Sequence, residues 1–224
     1  MAKIQDSKGR SDENSGYTRL FGNQKLGQLM SRVQATVIRT GNELEHLIEE
    51  ETPDEIKANL DDILAGQNTY STIQVVYQAK MPTHVEHRGG KADIVIFNHK
   101  LKNAMVIELK DGDTFDTKKS SGELESMTAF AKWISATLGY KTNFYFCSFN
   151  QDDKNAITTG AKGRFDISHA MTGRELCEKL EIDYDKIREK RQKEQPENLR
   201  YFIAELLKID SVRQIISEIW NKTK

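Results

Sequence analysis

Two short β-branched runs joined by a few polar residues constrain a chain strongly: they fold back on each other as a hairpin, or both expose apolar side chains. The stretch GGKADIVIFNHKLKNAMVIELKDGD, residues 89–113, has this form. Residues 91–97 (KADIVIF) and 104–110 (AMVIELK) read as strands, and NHKLKN is a connection of hairpin length. Strand side chains alternate, so Glu108 and Lys110 share the face of Val106 while Leu109 takes the other. Reflection about a turn centred between Lys100 and Leu101 sets Asp93 opposite Glu108. Two carboxylates and an amine therefore gather where a buried face opens to solvent.

Two carboxylates facing each other across a ladder repel, and one tends to stay protonated. A divalent cation removes the conflict, and one or two carboxylates with several waters is the donor set Mg²⁺ uses. A protonated Lys110 cannot ligate the ion, but it can hold an anion or a nucleophilic water beside it. Cation plus amine around an anionic oxygen is equipment for attack on a phosphodiester. Taken singly, the same residues are also what a solvated strand end and its turn would carry.

The rest of the chain supplies the frame. Residues 1–16 are polar and without period, and are expected to form a flexible tail ahead of a single domain over 17–224. Apolar residues at three and four spacings predict a helix over 20–48, with Gly41 as a possible break. Thr52, Pro53 and Glu55 form a capping-box pattern that predicts a second helix ending at Gly66. Strands follow over 71–81, 91–97 and 104–110, then a helix over 123–138 and a strand over 142–149. The carboxyl third reads as helical, with a capping box at Thr172–Glu175, a helix opened by Pro196, and a last one capped by Asp210 or Ser211. The order predicts an α/β fold with an αβββαβ core, a mixed central sheet flanked by helices, and a C-terminal helical extension over 165–224.

Composition narrows the setting without deciding it. Lys and Arg number 33 against 34 Asp and Glu, so a basic surface for a polyanion has to be local. No apolar run is long enough for a membrane span and no secretory signal is visible, which points to the cytoplasm. Cys147 and Cys177 lack CxxC spacing and read as buried, reduced thiols.

The pattern Asp93…Glu108-Leu109-Lys110 on the second and third strands of an αβββαβ order resembles the PD-(D/E)xK nuclease superfamily, the fold of most type II restriction endonucleases. The resemblance spans about 40–150, and Ala92 stands where the family usually has proline. It implies a restriction-endonuclease-like core and a Mg²⁺-dependent endonuclease that cuts double-stranded DNA at a specific sequence. It implies Asp93 and Glu108 as metal ligands, the Leu109 carbonyl as a further one, and Lys110 as the group that orients or activates the attacking water. Many members add a glutamate from the first helix. Glu45 is expected in that place, with Glu49 one turn further on; Glu43 and Glu49 equally read as plain solvated charges. The stretch from Met171 onward also resembles the tails of type II restriction enzymes. A repair or junction-resolving nuclease of the same fold, or a DNA-binding module without catalysis, fits the same pattern.

DNA affinity comes mainly from cations on phosphates. Arg88 and Lys91 precede Asp93, Lys118 and Lys119 follow the catalytic strand, and Lys162 and Arg164 follow the fourth strand. These are the candidate DNA-binding residues, and the polar segment 150–164 is a candidate for base reading. Cutting both strands of a palindrome calls for two active sites and hence a twofold homodimer. The helices around 201–207 and 212–219 are candidates for its interface, or for a cover on the sheet.

Overall fold

The computed structural model describes residues 2–10, 14–67, 71–82, 90–112 and 117–223, with the backbone alone for 117–121. These residues fall into two compact units, Glu45–Tyr184 on one side and Met1–Leu44 with Asp185–Lys224 on the other.

The first unit is built on a five-stranded sheet in the order β1-β2-β3-β4-β5, comprising β1 (Ile73–Lys80), β2 (Lys91–Asn98), β3 (Asn103–Lys110), β4 (Lys141–Ser148) and β5 (Ala170–Thr172). The β1–β2 and β2–β3 pairs are antiparallel, whereas β3–β4 and β4–β5 are parallel, so the sheet is mixed as its element order predicts. A parallel return needs a long crossover, and helix α4 (Thr117–Leu138) supplies it between β3 and β4. The 3-residue β5 is too short to leave a period in the sequence.

One face of the sheet carries Val76, Val95, Phe97, Ala104, Val106 and Phe146, closed by Met127, Phe130 and Ile134 of α4 and by Ile157 of a short helix over Lys154–Gly160. That helix lies within the polar segment 150–164, where Asp153 caps it and Ile157 is fully buried. The opposite face carries Tyr77 and Cys147. There Tyr77 hydrogen-bonds Thr52, and Cys147 lies near Cys177 of the helix over Gly173–Leu180. Both cysteines are buried thiols, as read from the sequence. The Thr172–Glu175 capping box forms with both of its hydrogen bonds.

Three local expectations are corrected. The long helix runs unbroken over Gln24–Glu51, because one helical glycine, the half-buried Gly41, costs only about 1 kcal/mol against alanine, and nothing lies within 4 Å of where its Cβ would stand. Thr52 caps nothing: it closes that helix, its hydroxyl donating to the Ile48 carbonyl and meeting Tyr77 Oη at 2.5 Å. The next α-helix is Leu60–Leu64, capped by Asn59, and Gly66 follows it with φ 69°. Asp210 is the first residue of the last helix, Asp210–Lys222, and Ile209 precedes it, so neither Asp210 nor Ser211 is the cap.

In the second unit, residues expected to form a tail are placed. Ile4 is buried, its amide donates to Asn198 at 2.9 Å, and Lys3 pairs with Glu194 and Glu197. Helices Gln195–Leu207 and Asp210–Lys222 pack on each other and leave Leu199, Ile203, Ile215, Ile219 and Trp220 exposed.

Candidate active site

Strands β2 and β3 pair Ile94 with Ile107 and Val95 with Val106, the register obtained by reflection about Lys100 and Leu101. One step further along lie Asp93 and Glu108, on the face of Val95 and Val106. The ladder ends there. The Leu109 N–H donates instead to Asp93 Oδ2 at 2.8 Å, so a backbone group that a continued strand would use fixes a carboxylate. The Phe149 N–H donates to the Lys110 carbonyl at 2.8 Å and ties the end of β3 to β4. Beyond it, Asn150 donates to the Asp111 carbonyl and Ser148 to that of Gly112, at 2.8 and 3.0 Å. The exit from the motif is thus held from the neighbouring strand.

Burial sets the electrostatics. Asp93 is pushed up to about 6, first by desolvation and then by the charge of Glu45, against the pull of the Leu109 amide. Glu108 is pushed up to about 7 by desolvation and by Asp93. It stays high despite an ion pair with Lys110 at 2.6 Å, and the charge of Glu123, which also pairs with Lys110 at 2.9 Å, adds to the rise. Burial opposes the charge on Lys110, yet Glu108 and Glu123 together hold its value above the ordinary lysine range. Lys110 is therefore an ammonium, a hydrogen-bond donor.

Glu45 belongs to the same field. Desolvation and Glu108 raise its value, and its carboxylate accepts a short hydrogen bond from Gln78. Glu43 is used elsewhere, as acceptor of the Ala2 amide at 2.7 Å, and Glu49 bears on Tyr77. Of the three, Glu45 is the one whose charge bears on Asp93 and feels Glu108 and Lys110.

Two residues here were not read from the sequence. Gln78 sits mid-strand with φ 48°, where β1 pairs Tyr77 with Ile94 and Ala79 with Ala92 but skips the pair between them, opposite Asp93. A left-handed non-glycine residue costs on the order of 1–3 kcal/mol and persists where its surroundings demand it. Glu123 stands nearly two turns into α4, which begins six residues before the start expected at 123. Its signal was present: 123, 127, 130 and 134 form one helical stripe, apolar except for the glutamate.

Among the described residues, no three carboxylate, imidazole or thiolate side chains close into a metal cage. The set is two largely but not fully buried, mutually repelling carboxylates with Glu45 nearby, which suits a hard cation that keeps several waters. Of the candidate DNA contacts, Lys91 is exposed at the start of β2, and Lys162 and Arg164 are exposed after the Lys154–Gly160 helix. Arg88 lies outside the described residues, as do the side chains of Lys118 and Lys119.

An ammonium and paired carboxylates at the open end of a strand hairpin, on a mixed α/β sheet, make the equipment of a nuclease. The chain is 43% identical over 225 residues to the type II restriction enzyme HhaII of Haemophilus parahaemolyticus, covering 97% of this chain and 99% of that one. No family model and no solved structure matches. The chain belongs to the type II restriction endonucleases, the site-specific deoxyribonucleases of restriction systems, enzymes that generally work with a divalent metal ion. No helix among the described residues is long and apolar enough to cross a membrane.

Proposed function

We propose that the chain hydrolyses the phosphodiesters of its duplex target at a PD-(D/E)xK site formed by Asp93, Glu108 and Lys110, on a restriction-endonuclease-like core and with Mg²⁺ as the cofactor. The observation that carries this reading is the β2–β3 register, which sets Asp93 and Glu108 on one face with the Lys110 ammonium 2.6 Å from Glu108. Asp93 and Glu108 would hold the ion, with the Leu109 carbonyl and Glu45 as supplementary donors. When bound, the cation supplies Lewis-acid stabilisation of charge on the phosphate oxygens. Lys110 donates a hydrogen bond toward the attacking water or the scissile phosphate and fixes its position. Lys91, Lys162 and Arg164, with Arg88, Lys118 and Lys119, would carry phosphate contacts.

The working form is a homodimer in the cytoplasm, with one site per strand. The apolar side chains left exposed on the last two helices favour those helices as the interface. With Leu207 and Ile216, and at roughly 200 Å² for a fully exposed large side chain, they supply close to the roughly 800 Å² per partner of a standard interface.

The test is digestion of plasmid DNA. With Mg²⁺ the protein yields discrete fragments. With Ca²⁺, which accepts looser geometry, it binds the same DNA but cuts poorly. Equal cutting in both ions contradicts a geometry-sensitive magnesium site.

A further inference from the structure

Lys110 has two anionic partners, and the motif accounts for one. Its Nζ donates to Glu108 Oε1 at 2.6 Å, on its own strand, and to Glu123 Oε1 at 2.9 Å, on the helix that packs over the strand. Both carboxylates are largely buried, with side-chain exposures of 15% and 24%. If Glu108 is to face a divalent cation, it cannot keep an ammonium at the same oxygen, since two positive centres at that range repel strongly in a partly dry site. Once released, Lys110 needs another anion nearby, because its side chain is 31% exposed and has an open route to water. Glu123 is already bonded to it. Glu123 has no evident task in anchoring its helix, whose Met127, Phe130 and Ile134 are fully buried in the core.

We propose that Glu123 is a positioning residue for the cleavage reaction: it keeps the Lys110 ammonium at the site when Glu108 gives up its ion pair to a divalent cation. This rests on the assignment of Asp93, Glu108 and Lys110 as the hydrolytic site. Without Glu123, the ammonium falls wholly on Glu108 and competes there with the cation. Glu123 therefore supports both the placement of Lys110 and the availability of Glu108.

The experiment is a double-mutant cycle read in two ways. Steady-state cleavage of a plasmid that the protein cuts is measured for Glu123→Gln and Glu123→Asp. Calorimetric titration with Ca²⁺ is measured for Glu123→Gln in the native chain and in Lys110→Met. The expected results are a kcat about tenfold to a hundredfold lower in Glu123→Gln with KM for DNA unchanged, and partial recovery in Glu123→Asp. Ca²⁺ affinity should fall several-fold more in the native background than in Lys110→Met. Native kcat in Glu123→Gln overturns the proposal, as does an equal loss of Ca²⁺ affinity in both backgrounds, which would be a direct charge effect. Glu123→Asp keeps the carboxylate, so it carries the kinetic test if Glu123→Gln does not fold: a kcat at the native level overturns the proposal, and a reduced one supports it. Full cleavage by Lys110→Met removes the hydrolytic site itself, a result distinct from either of these.

Discussion

The two compact units distribute their apolar and charged groups in opposite ways. Glu45–Tyr184 closes its core around Phe97, Phe130, Phe146 and Phe149, none more than 1% exposed, and holds Asp93 and Glu108 partly buried at the rim of that core. Of the large apolar side chains left exposed among the described residues, all but Leu101 and Ile167 belong to the other unit. The lesson concerns where a small protein can place costly features. Buried carboxylates need a rigid, closed frame to hold their positions. An open apolar face is tolerated where assembly will cover it.

Substitutions should therefore separate the two units, each affecting one property and sparing the other. The largest effect belongs to the strand ends. Asp93→Ala and Lys110→Ala should each lower cleavage by about a thousandfold or more while specific DNA binding in Ca²⁺ survives. Native activity in either would break the contrast at its stronger end. In the other unit, Ile216→Asp combined with Ile219→Asp should shift sedimentation from dimer to monomer and leave the melting of the sheet unit in place. An unchanged mass would move the interface elsewhere.

Smaller effects sharpen the picture. Glu45→Ala should reduce cleavage about tenfold to a hundredfold, and Gln78→Ala less, whereas Glu43→Ala and Glu49→Ala leave it near the native rate. The pH dependence follows from the two raised carboxylates. Folding favours their protonated forms, so the stability they contribute is full below the ordinary carboxylate range. It is lost as pH rises through about 6 and about 7 for Asp93 and Glu108. The metal-free protein should lose a few degrees of melting temperature between about pH 5 and 8, and added Mg²⁺ should restore them at the upper end only. A flat profile in the native chain would mean the pair is not buried as described. Least of all, Lys91→Ala, Lys162→Ala or Arg164→Ala should each weaken DNA binding by a few-fold and lower the salt slope by about 1.

How much of this was legible in the sequence depends on the range of the interaction. The β2–β3 register was, because two β-branched runs and a short polar connection leave one pairing that buries one face. The capping box at Thr172 and Glu175 was, being local. The similar pattern at Thr52, Pro53 and Glu55 misled, because Tyr77, distant in sequence, engages the Thr52 hydroxyl, and local capping chemistry lost to a tertiary contact. Gln78 was invisible, since a left-handed backbone angle in a strand leaves no mark on composition. Glu123 was legible only as a charge interrupting an apolar helical stripe, and its partner Lys110 lies across a connection that carries no signal of proximity.

The central claim is that Asp93 and Glu108 share one divalent cation beside Lys110. Crystals soaked in Mn²⁺ and measured at the manganese absorption edge test it directly. The account predicts an anomalous peak coordinated by both carboxylates. A peak seated on other residues, or none at a pH where both groups are ionised, would contradict it.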